Sequence, residues 1–151
     1  MTDALEDYAA QMNAEAGGWN HAMGLHFVRA TKDEVVATFT VGAIHRQPYG
    51  VVHGGVHCGV IEAACSTGAA ISAMANGRTV VGLENATSFL RAVREGTLTV
   101  TARPLAHGRR SEVWEAKVVD ATGRAVAAGR VRAMCLEPGA ALAGEPAGVK
   151  T

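Results

Sequence analysis

The sequence has no surplus of charge of either sign, because fourteen lysines and arginines balance fourteen aspartates and glutamates. Nucleic-acid-binding domains carry a basic surplus or a basic stripe, so DNA or RNA recognition is excluded as a main function. Aromatic residues are also scarce, at 5% of 151 residues. The hydrophobic content of 48% and the charged content of 19% are those of a globular protein. The length predicts a single domain with its own core.

Several motifs that identify other enzyme classes are missing. There is no Gly-x-Ser-x-Gly nucleophile elbow, no Cys-x-x-Cys pair and no Walker or dinucleotide phosphate loop. His53 and His57 lie four residues apart but enclose Gly-Gly-Val rather than a zinc-protease motif, so we expect no metal and no cofactor. Cys58 and Cys65 have no evident positive neighbour and are interpreted as apolar core residues.

Signals for export are also missing. No basic segment followed by an apolar segment is found at the start, so we expect no secretory signal. The longest apolar stretch contains Glu62, Ser66 and several glycines, which argues against a membrane span. Three cysteines, an odd number without metal-type spacing, favour a reducing compartment. The predicted location is therefore the cytoplasm.

The most informative stretch covers residues 47–66, QPYGVVHGGVHCGVIEAACS. A glycine pair, Gly54 and Gly55, precedes a long run that has no proline and almost no polar residue. This pattern predicts a helix over residues 55–75, and a helix that is apolar nearly all round is a buried one. Glu62 is the exception in the middle of this helix.

Glu62 and Ser66 are four residues apart and therefore share a helix face. A glutamate is rarely buried unless it is paired or functional, so Glu62 is either a catalytic acid or a structural one bonded to neighbours or to a partner subunit. Gly54 and Gly55 expose backbone N–H groups at the positive end of the helix dipole, which suits an oxyanion that develops during acyl transfer. A carboxylate beside an oxyanion hole is what thioester hydrolysis needs.

The spacing of these groups predicts a dimer. Gly54 and Glu62 are eight residues apart, which is about 12 Å along one helix. A reacting carbonyl must lie about 3 Å from both groups, so one helix cannot supply both. Two antiparallel copies can, and a symmetric homodimer with two composite sites follows.

Strand patterns flank the helix and predict an α+β fold, an antiparallel sheet of five or six strands wrapped around one long helix. The predicted strands cover residues 25–30, 34–41, 78–91, 96–106, 111–120 and 124–136. A short helix is expected over 3–16, and a connector over 19–24. One domain is expected over 1–136, followed by a flexible Gly/Ala/Pro-rich tail over 137–151.

The motif resembles that of the hotdog-fold thioesterases. It consists of His53-Gly54-Gly55 and an acid nine residues after the histidine, and the resemblance covers residues 20–136. The spacing of Gln47, His53, Gly54, Glu62 and Ser66, with the segment TSFLRAVREG after the helix, is most similar to the glutamate-dependent 4-hydroxybenzoyl-CoA thioesterases. The related phenylacetate-pathway thioesterases typically carry Asp near this point.

The resemblance implies hydrolysis of an aryl- or fatty-acyl-CoA by a homodimer or a dimer of dimers. Glu62 would act as general base or as nucleophile, with the backbone of Gly54 or Gly55 as oxyanion hole. Gln47 would donate to the thioester, and Ser66, where the family commonly has Thr, would orient the carboxylate or a water. His53 would hold the loop or only cap the helix.

CoA carries phosphates, which arginine side chains recognise well. Candidate contacts are Arg91, Arg94, Arg109, Arg110, Thr87 and Ser88. The family has small hydroxyl residues at the hairpin where this chain has the pair Arg109 and Arg110. The alternative interpretation is that the candidate arginines are solvated surface charges that do not contact CoA.

Two other functions remain open at this point. One is a hotdog dehydratase or hydratase that acts on acyl thioesters, although these enzymes pair a histidine with an acid at other spacings. The other is a non-catalytic acyl-CoA sensor, which would keep the pocket without the acid. The presence of Glu62 and Ser66 at helical spacing favours catalysis.

Overall fold

The computed structural model describes residues 6–148 and confirms the predicted hotdog architecture, a six-stranded antiparallel sheet with one long helix. The elements in chain order are α1 (Ala9–Ala14), α2 (Gly18–Ala22), β1 (His26–Ala30), β2 (Val35–Thr40), a 3-10 turn (Ala43–His45), α3 (Gly54–Met74), β3 (Thr79–Phe89), β4 (Thr97–His107), β5 (Ser111–Val119), β6 (Ala125–Leu136), β7 (Ala141–Leu142) and β8 (Glu145–Pro146).

The sheet has the strand order β1-β2-β4-β5-β6-β3, with every neighbouring pair antiparallel. Buried and exposed residues alternate along the strands, and the buried residues form the face of the sheet that packs against the helix. Val35, Ala37 and Phe39 of β2 are buried, while the residues between them are partly exposed, as the period of two requires. β3 pairs only with β6 among the described strands and is therefore an edge strand.

α3 packs against the sheet and completes the core. Its buried residues include Val60, Ile61, Ala64 and Cys65, each with no exposed surface. By length and composition α3 is also long and apolar enough to cross a membrane. Half of its apolar stretch is buried inside the protein, which is the arrangement of a core helix.

A glycine in α3 makes room for the largest buried side chain. A Cβ on Gly68 would lie 2.3 Å from two ring carbons of Trp114, so no larger residue fits without movement. The indole N–H of Trp114 donates to the carboxylate of Glu112, at 2.8 Å. Nδ1 of His107 lies 3.3 Å from the same oxygen, and the two contacts offset the cost of burying Glu112, of which 4% of the surface is exposed.

The first predicted helix is too long. Residues 3–5 lie outside the described part of the chain, but α1 begins at Ala9. The reason is competition from β1, because the N–H of Tyr8 donates to the carbonyl of Ala30. The carboxylate of Asp7 accepts from the N–H groups of both Ala9 and Ala30, at 2.9 Å each. These bonds tie Asp7 and Tyr8 to the end of β1, so the helix starts only after them.

Two other segments have more regular structure than their composition indicated. The connector over 19–24 contains most of α2, which begins at Gly18. The segment after 136 contains the hairpin of β7 and β8, whose turn places Ala143 and Gly144 at positive φ. Residues 149–151 lie outside the described part, and the flexibility of this tail stays a prediction.

Candidate active site

The loop that leads into α3 is held by its own backbone. The N–H of Gln47 donates to the carbonyl of Val51 at 2.9 Å, and the N–H of Gly50 donates to the carbonyl of Gln47 at 2.8 Å. Gly50 has φ of 76°, a conformation that favours glycine. The guanidinium of Arg94 donates to the carbonyl of Tyr49 at 2.8 Å and fixes the tip of the loop.

His53 is the N-cap of α3. Its Nδ1 accepts the N–H of Gly55 at 2.8 Å, and its own N–H donates to the carbonyl of His45. The capping role considered from the sequence is therefore present. Because the N–H of Gly55 is already bonded, the N–H of Gly54 is the donor at the helix start that has no partner among residues 6–148.

Gln47 lies in front of this helix start. Its side-chain oxygen accepts the N–H of Tyr49, which leaves the amide NH₂ as the group that can donate to a ligand. Gln47 borders a cleft of about 340 Å³ together with Gly54, His57 and Phe89. The ring of Phe89 lies so close to Gly54 that a Cβ there would be 2.6 Å from it.

Glu62 is half-buried and is hydrogen-bonded on both oxygens. Ser66 donates its hydroxyl to Oε1 at 3.0 Å, as their spacing predicted. The side-chain amide of Asn85, on β3, donates to Oε2 at 2.9 Å. The hydroxyl of Thr87 donates to the amide oxygen of Asn85 at 2.6 Å and thereby fixes the orientation of that amide. The two bonds fix the orientation of the Glu62 carboxylate.

The carboxylate of Glu62 and the unpaired N–H of Gly54 are not close to each other within one chain. Gly54 and Glu62 lie on the same unbroken helix, α3, which separates them by about 12 Å. Among the described residues no cluster of three or more His, Cys, Asp or Glu side chains could hold a metal ion.

Comparison with known proteins identifies the family. The model of the thioesterase superfamily matches residues 49–127, which contain the helix start, Glu62 and Ser66. The chain belongs to the thioesterase superfamily. Its general activity is therefore thioester hydrolysis, and its class is the acyl-CoA thioesterases.

Three relatives illustrate the match. A protein of Mycobacterium tuberculosis provisionally named an esterase is 39% identical over 76% of this chain and 84% of its own length. Its solved structure has a TM-score of 0.78 and covers 79% of this chain and 96% of the other. The proofreading thioesterase EntH of Cronobacter turicensis is 33% identical over 68% and 74% of the two chains. The 1,4-dihydroxy-2-naphthoyl-CoA hydrolase of Listeria monocytogenes is 34% identical over 70% and 85%.

The candidate site contains two residues that sequence reasoning missed. Asn85 binds Glu62 directly, and Gly82 lies so close that a Cβ there would be 2.6 Å from Oε1 of Glu62. Both signals were present in the sequence. Asparagine is depleted in strands, and a glycine inside a strand marks the close approach of another group.

The predicted CoA contacts of this thioesterase lie at two ends of the molecule. Arg91 borders the cleft at Gly54 and also a neighbouring pocket of about 310 Å³ that includes Arg94. Arg109 and Arg110 lie at the β4–β5 hairpin, about 30 Å away along β4. The structure does not bring the two pairs together within one chain.

The two hydroxyl residues predicted to contact CoA have different surroundings. The hydroxyl of Thr87 donates to Asn85 and faces β6, where a Cβ on Gly129 would lie 2.5 Å from it. Thr87 is therefore part of the Glu62 network. Ser88 is exposed.

The cysteines of the central helix differ in exposure. Burial raises the pKa of the Cys65 thiol to about 12, so this thiol stays protonated and unreactive. Cys58 is half-buried on the same helix.

Proposed function

We propose that this thioesterase hydrolyses an aryl- or fatty-acyl-CoA to the free acid and CoA. Glu62 acts as general base or nucleophile, and the N–H of Gly54 stabilises the oxyanion. The observation that carries the proposal is that α3 carries both a positioned carboxylate, Glu62, and a backbone donor without a partner in the described part of the chain, the N–H of Gly54. Ser66 and Asn85 hold the Glu62 carboxylate, while the N–H of Gly54 has no partner among the described residues.

Either role uses the ionised form of Glu62. As a base, Glu62 takes a proton from water while the water oxygen bonds to the thioester carbon, and collapse of the oxyanion expels the CoA thiolate. As a nucleophile, its oxygen displaces the thiolate to form a mixed anhydride, which water then hydrolyses. In both cases the negative carbonyl oxygen lies against the N–H of Gly54 at the helix start, with the Gln47 amide as a second donor.

The active unit that we propose is a homodimer. The 12 Å separation along α3 means that Glu62 of one copy must act with Gly54 of another. The edge strand β3 supports this arrangement, because it carries Leu83 and Phe89, 50% and 57% exposed, beside an unpaired strand edge. Exposed apolar edges are usually covered in native proteins.

A dimer of this kind also explains the separated arginines. Two copies of β3 that pair antiparallel place the end of one strand, next to Arg91, beside the start of the other. The start of β3 adjoins the β4–β5 hairpin, because Arg78 donates to the carbonyl of Arg109. We therefore infer that CoA phosphates bind between Arg91 of one copy and Arg109 or Arg110 of the other. Arg94 has a structural role in the loop as well.

Among thioesterases, the glutamate-dependent 4-hydroxybenzoyl-CoA thioesterases are the subgroup that we propose. The support is the spacing of Gln47, His53, Gly54, Glu62 and Ser66, together with an aryl-CoA substrate in the name of the Listeria relative. The location that we propose is the cytoplasm, where acyl-CoA substrates are made.

The experiment is a free-thiol release assay with purified protein and a panel of aryl- and fatty-acyl-CoA compounds. We expect release of CoA with formation of the free acid from at least one class. Conversion of an acyl-CoA without thiol release would instead indicate a dehydratase or hydratase. Binding without any conversion would indicate a sensor.

A further inference from the structure

Trp19 is a large aromatic residue whose position is not explained by burial in the core. It lies on α2, which has no buried residue, and 43% of its own surface is exposed. Its indole ring lies against α3 at Gly59, where a Cβ would collide with the ring. Glycine is less favourable than alanine in the middle of a helix, because the unfolded chain gains conformational freedom. Gly59 therefore weakens α3 locally and gives the indole room to lie directly on the helix.

This contact places the indole next to the proposed catalytic carboxylate. Gly59 and Glu62 are three residues apart on α3, so they share a helix face. Both are only partly buried and belong to the face of α3 that the sheet does not cover. Along the helix axis they are separated by about 4.5 Å. Trp19 therefore borders the site on the side of Glu62 that leads to the N-terminal end of α3.

The proposed CoA site lies on the other side of Glu62. The β4–β5 hairpin, which carries two of the candidate CoA arginines, adjoins the C-terminal end of α3, because the hydroxyl of Ser72 lies 3.2 Å from Nδ1 of His107. With CoA bound as proposed, its chain runs from Glu62 toward this end of the helix. The acyl group is bonded to the opposite side of the thioester carbonyl and extends toward the N-terminal end, where Trp19 lies.

We propose that Trp19 limits the length of the acyl group that this thioesterase accepts. This inference rests on the proposed function and narrows its substrate class to compact acyl groups, with a short chain or a single ring. The indole lies about one helical turn from the carboxylate, so a compact acyl group packs against the ring. A long straight chain must displace the indole from Gly59 before the thioester carbonyl can reach Glu62.

The test compares the kcat/KM of butyryl-, hexanoyl-, octanoyl- and decanoyl-CoA. For the wild type we expect kcat/KM to fall by about tenfold or more from butyryl- to decanoyl-CoA, because a pocket of fixed length discriminates against added methylenes. Trp19→Ala should raise the decanoyl-to-butyryl ratio of kcat/KM by about tenfold or more. Trp19→Phe, which keeps a smaller ring, should give an intermediate ratio. Leu142→Ala, which truncates a 39% exposed residue on the separate β7–β8 hairpin, is the control and should keep the wild-type ratio.

Three results would overturn the inference while leaving thioester hydrolysis intact. The first is a wild type with equal kcat/KM for butyryl- and decanoyl-CoA, and the second is the wild-type ratio in Trp19→Ala. The third is an equal loss of kcat/KM at every chain length in both Trp19 variants, because Trp19 would then only stabilise the fold. If circular dichroism shows that Trp19→Ala does not fold, Trp19→Phe decides, and its ratio must exceed that of the wild type. Hydrolysis of no thioester at all by the wild type would overturn the proposed function, and this inference with it.

Discussion

Asn85 is the residue whose role is clearest from geometry and least evident from sequence. Its amide donates to Oε2 of Glu62, and Thr87 fixes the orientation of that amide. A hydrogen bond to a charged group is worth about 1.5–3 kcal/mol, so its loss should allow the carboxylate to rotate away from the thioester. We expect Asn85→Ala to lower kcat by about tenfold or more.

The measurement is steady-state hydrolysis of the best thioester, with circular dichroism to confirm the fold. The matched control is Asn76→Ala, a change at an exposed turn residue after α3, which should keep the wild-type kcat. An Asn85→Ala enzyme with unchanged kcat would show that Ser66 alone is sufficient to orient Glu62.

At the scale of the elements, Asp7 joins the start of α1 to the end of β1. Hydrogen bonds from the N–H groups of Ala9 and Ala30 lower the pKa of its carboxyl below 3.8. Ionised Asp7 therefore stabilises the folded state at pH values above its unfolded-state pKa of about 3.8. This stabilisation is lost as the pH falls through the lower folded-state pKa. Asp7→Ala should reduce the free energy of unfolding at pH 7, and the difference from wild type should shrink at pH 3.

Urea denaturation at the two pH values checks this prediction. Asp33→Ala is the control, because Asp33 contacts the exposed Lys32, and a surface pair of this kind contributes little. If Asp7→Ala lowers the free energy of unfolding by the same amount at pH 3 and pH 7, the stabilisation does not depend on the ionisation of Asp7.

The contact between α3 and the sheet gives a second prediction at this scale. Gly68→Ala places a Cβ 2.3 Å from the ring of Trp114, which is 1% exposed and has no room to move away. Overpacking of this kind typically costs about 1–3 kcal/mol, and we expect a lower Tm for this variant. Gly17→Ala is the matched control, because a Cβ there would meet its nearest atom at 3.9 Å, and its Tm should change little. Equal Tm values for the two variants would contradict the packing argument.

The elements were predictable because local signals agree with the final packing. The glycine pair before a long apolar run placed α3 within one residue of its bounds, Gly54–Met74, and turn residues separated the strands. The start of α1 was not predictable, because it depends on a bond between Tyr8 and Ala30, which are far apart in sequence. For the same reason the helix spacing revealed Ser66 beside Glu62 but not Asn85, which reaches it from another element.

At the scale of the whole molecule, the proposed composite site predicts complementation between two inactive variants. Glu62→Gln removes the carboxylate, and Gly54→Val should block the oxyanion donor because a side chain there would meet Phe89. In a mixed dimer one site receives both defects and the other receives none. Equal mixing with free exchange gives one intact site in half of the dimers, so about a quarter of the wild-type activity should return.

The activity of the mixture, compared with the two separate variants, is the measurement. Light scattering of the wild type at the assay concentration should give the mass of a dimer or a larger assembly. No recovered activity after confirmed subunit exchange, or an active monomer, would show that each chain forms its own site.

The most direct measurement of the central role of Glu62 is the kcat of Glu62→Gln with the best acyl-CoA. The amide keeps the shape of the side chain and removes the charge, so the fold and the dimer should survive. Because a positioned acid–base group typically contributes about a hundred- to ten-thousandfold, we predict a fall in kcat of at least about a hundredfold. A folded variant that keeps more than about a tenth of the wild-type kcat would contradict Glu62 as the catalytic carboxylate.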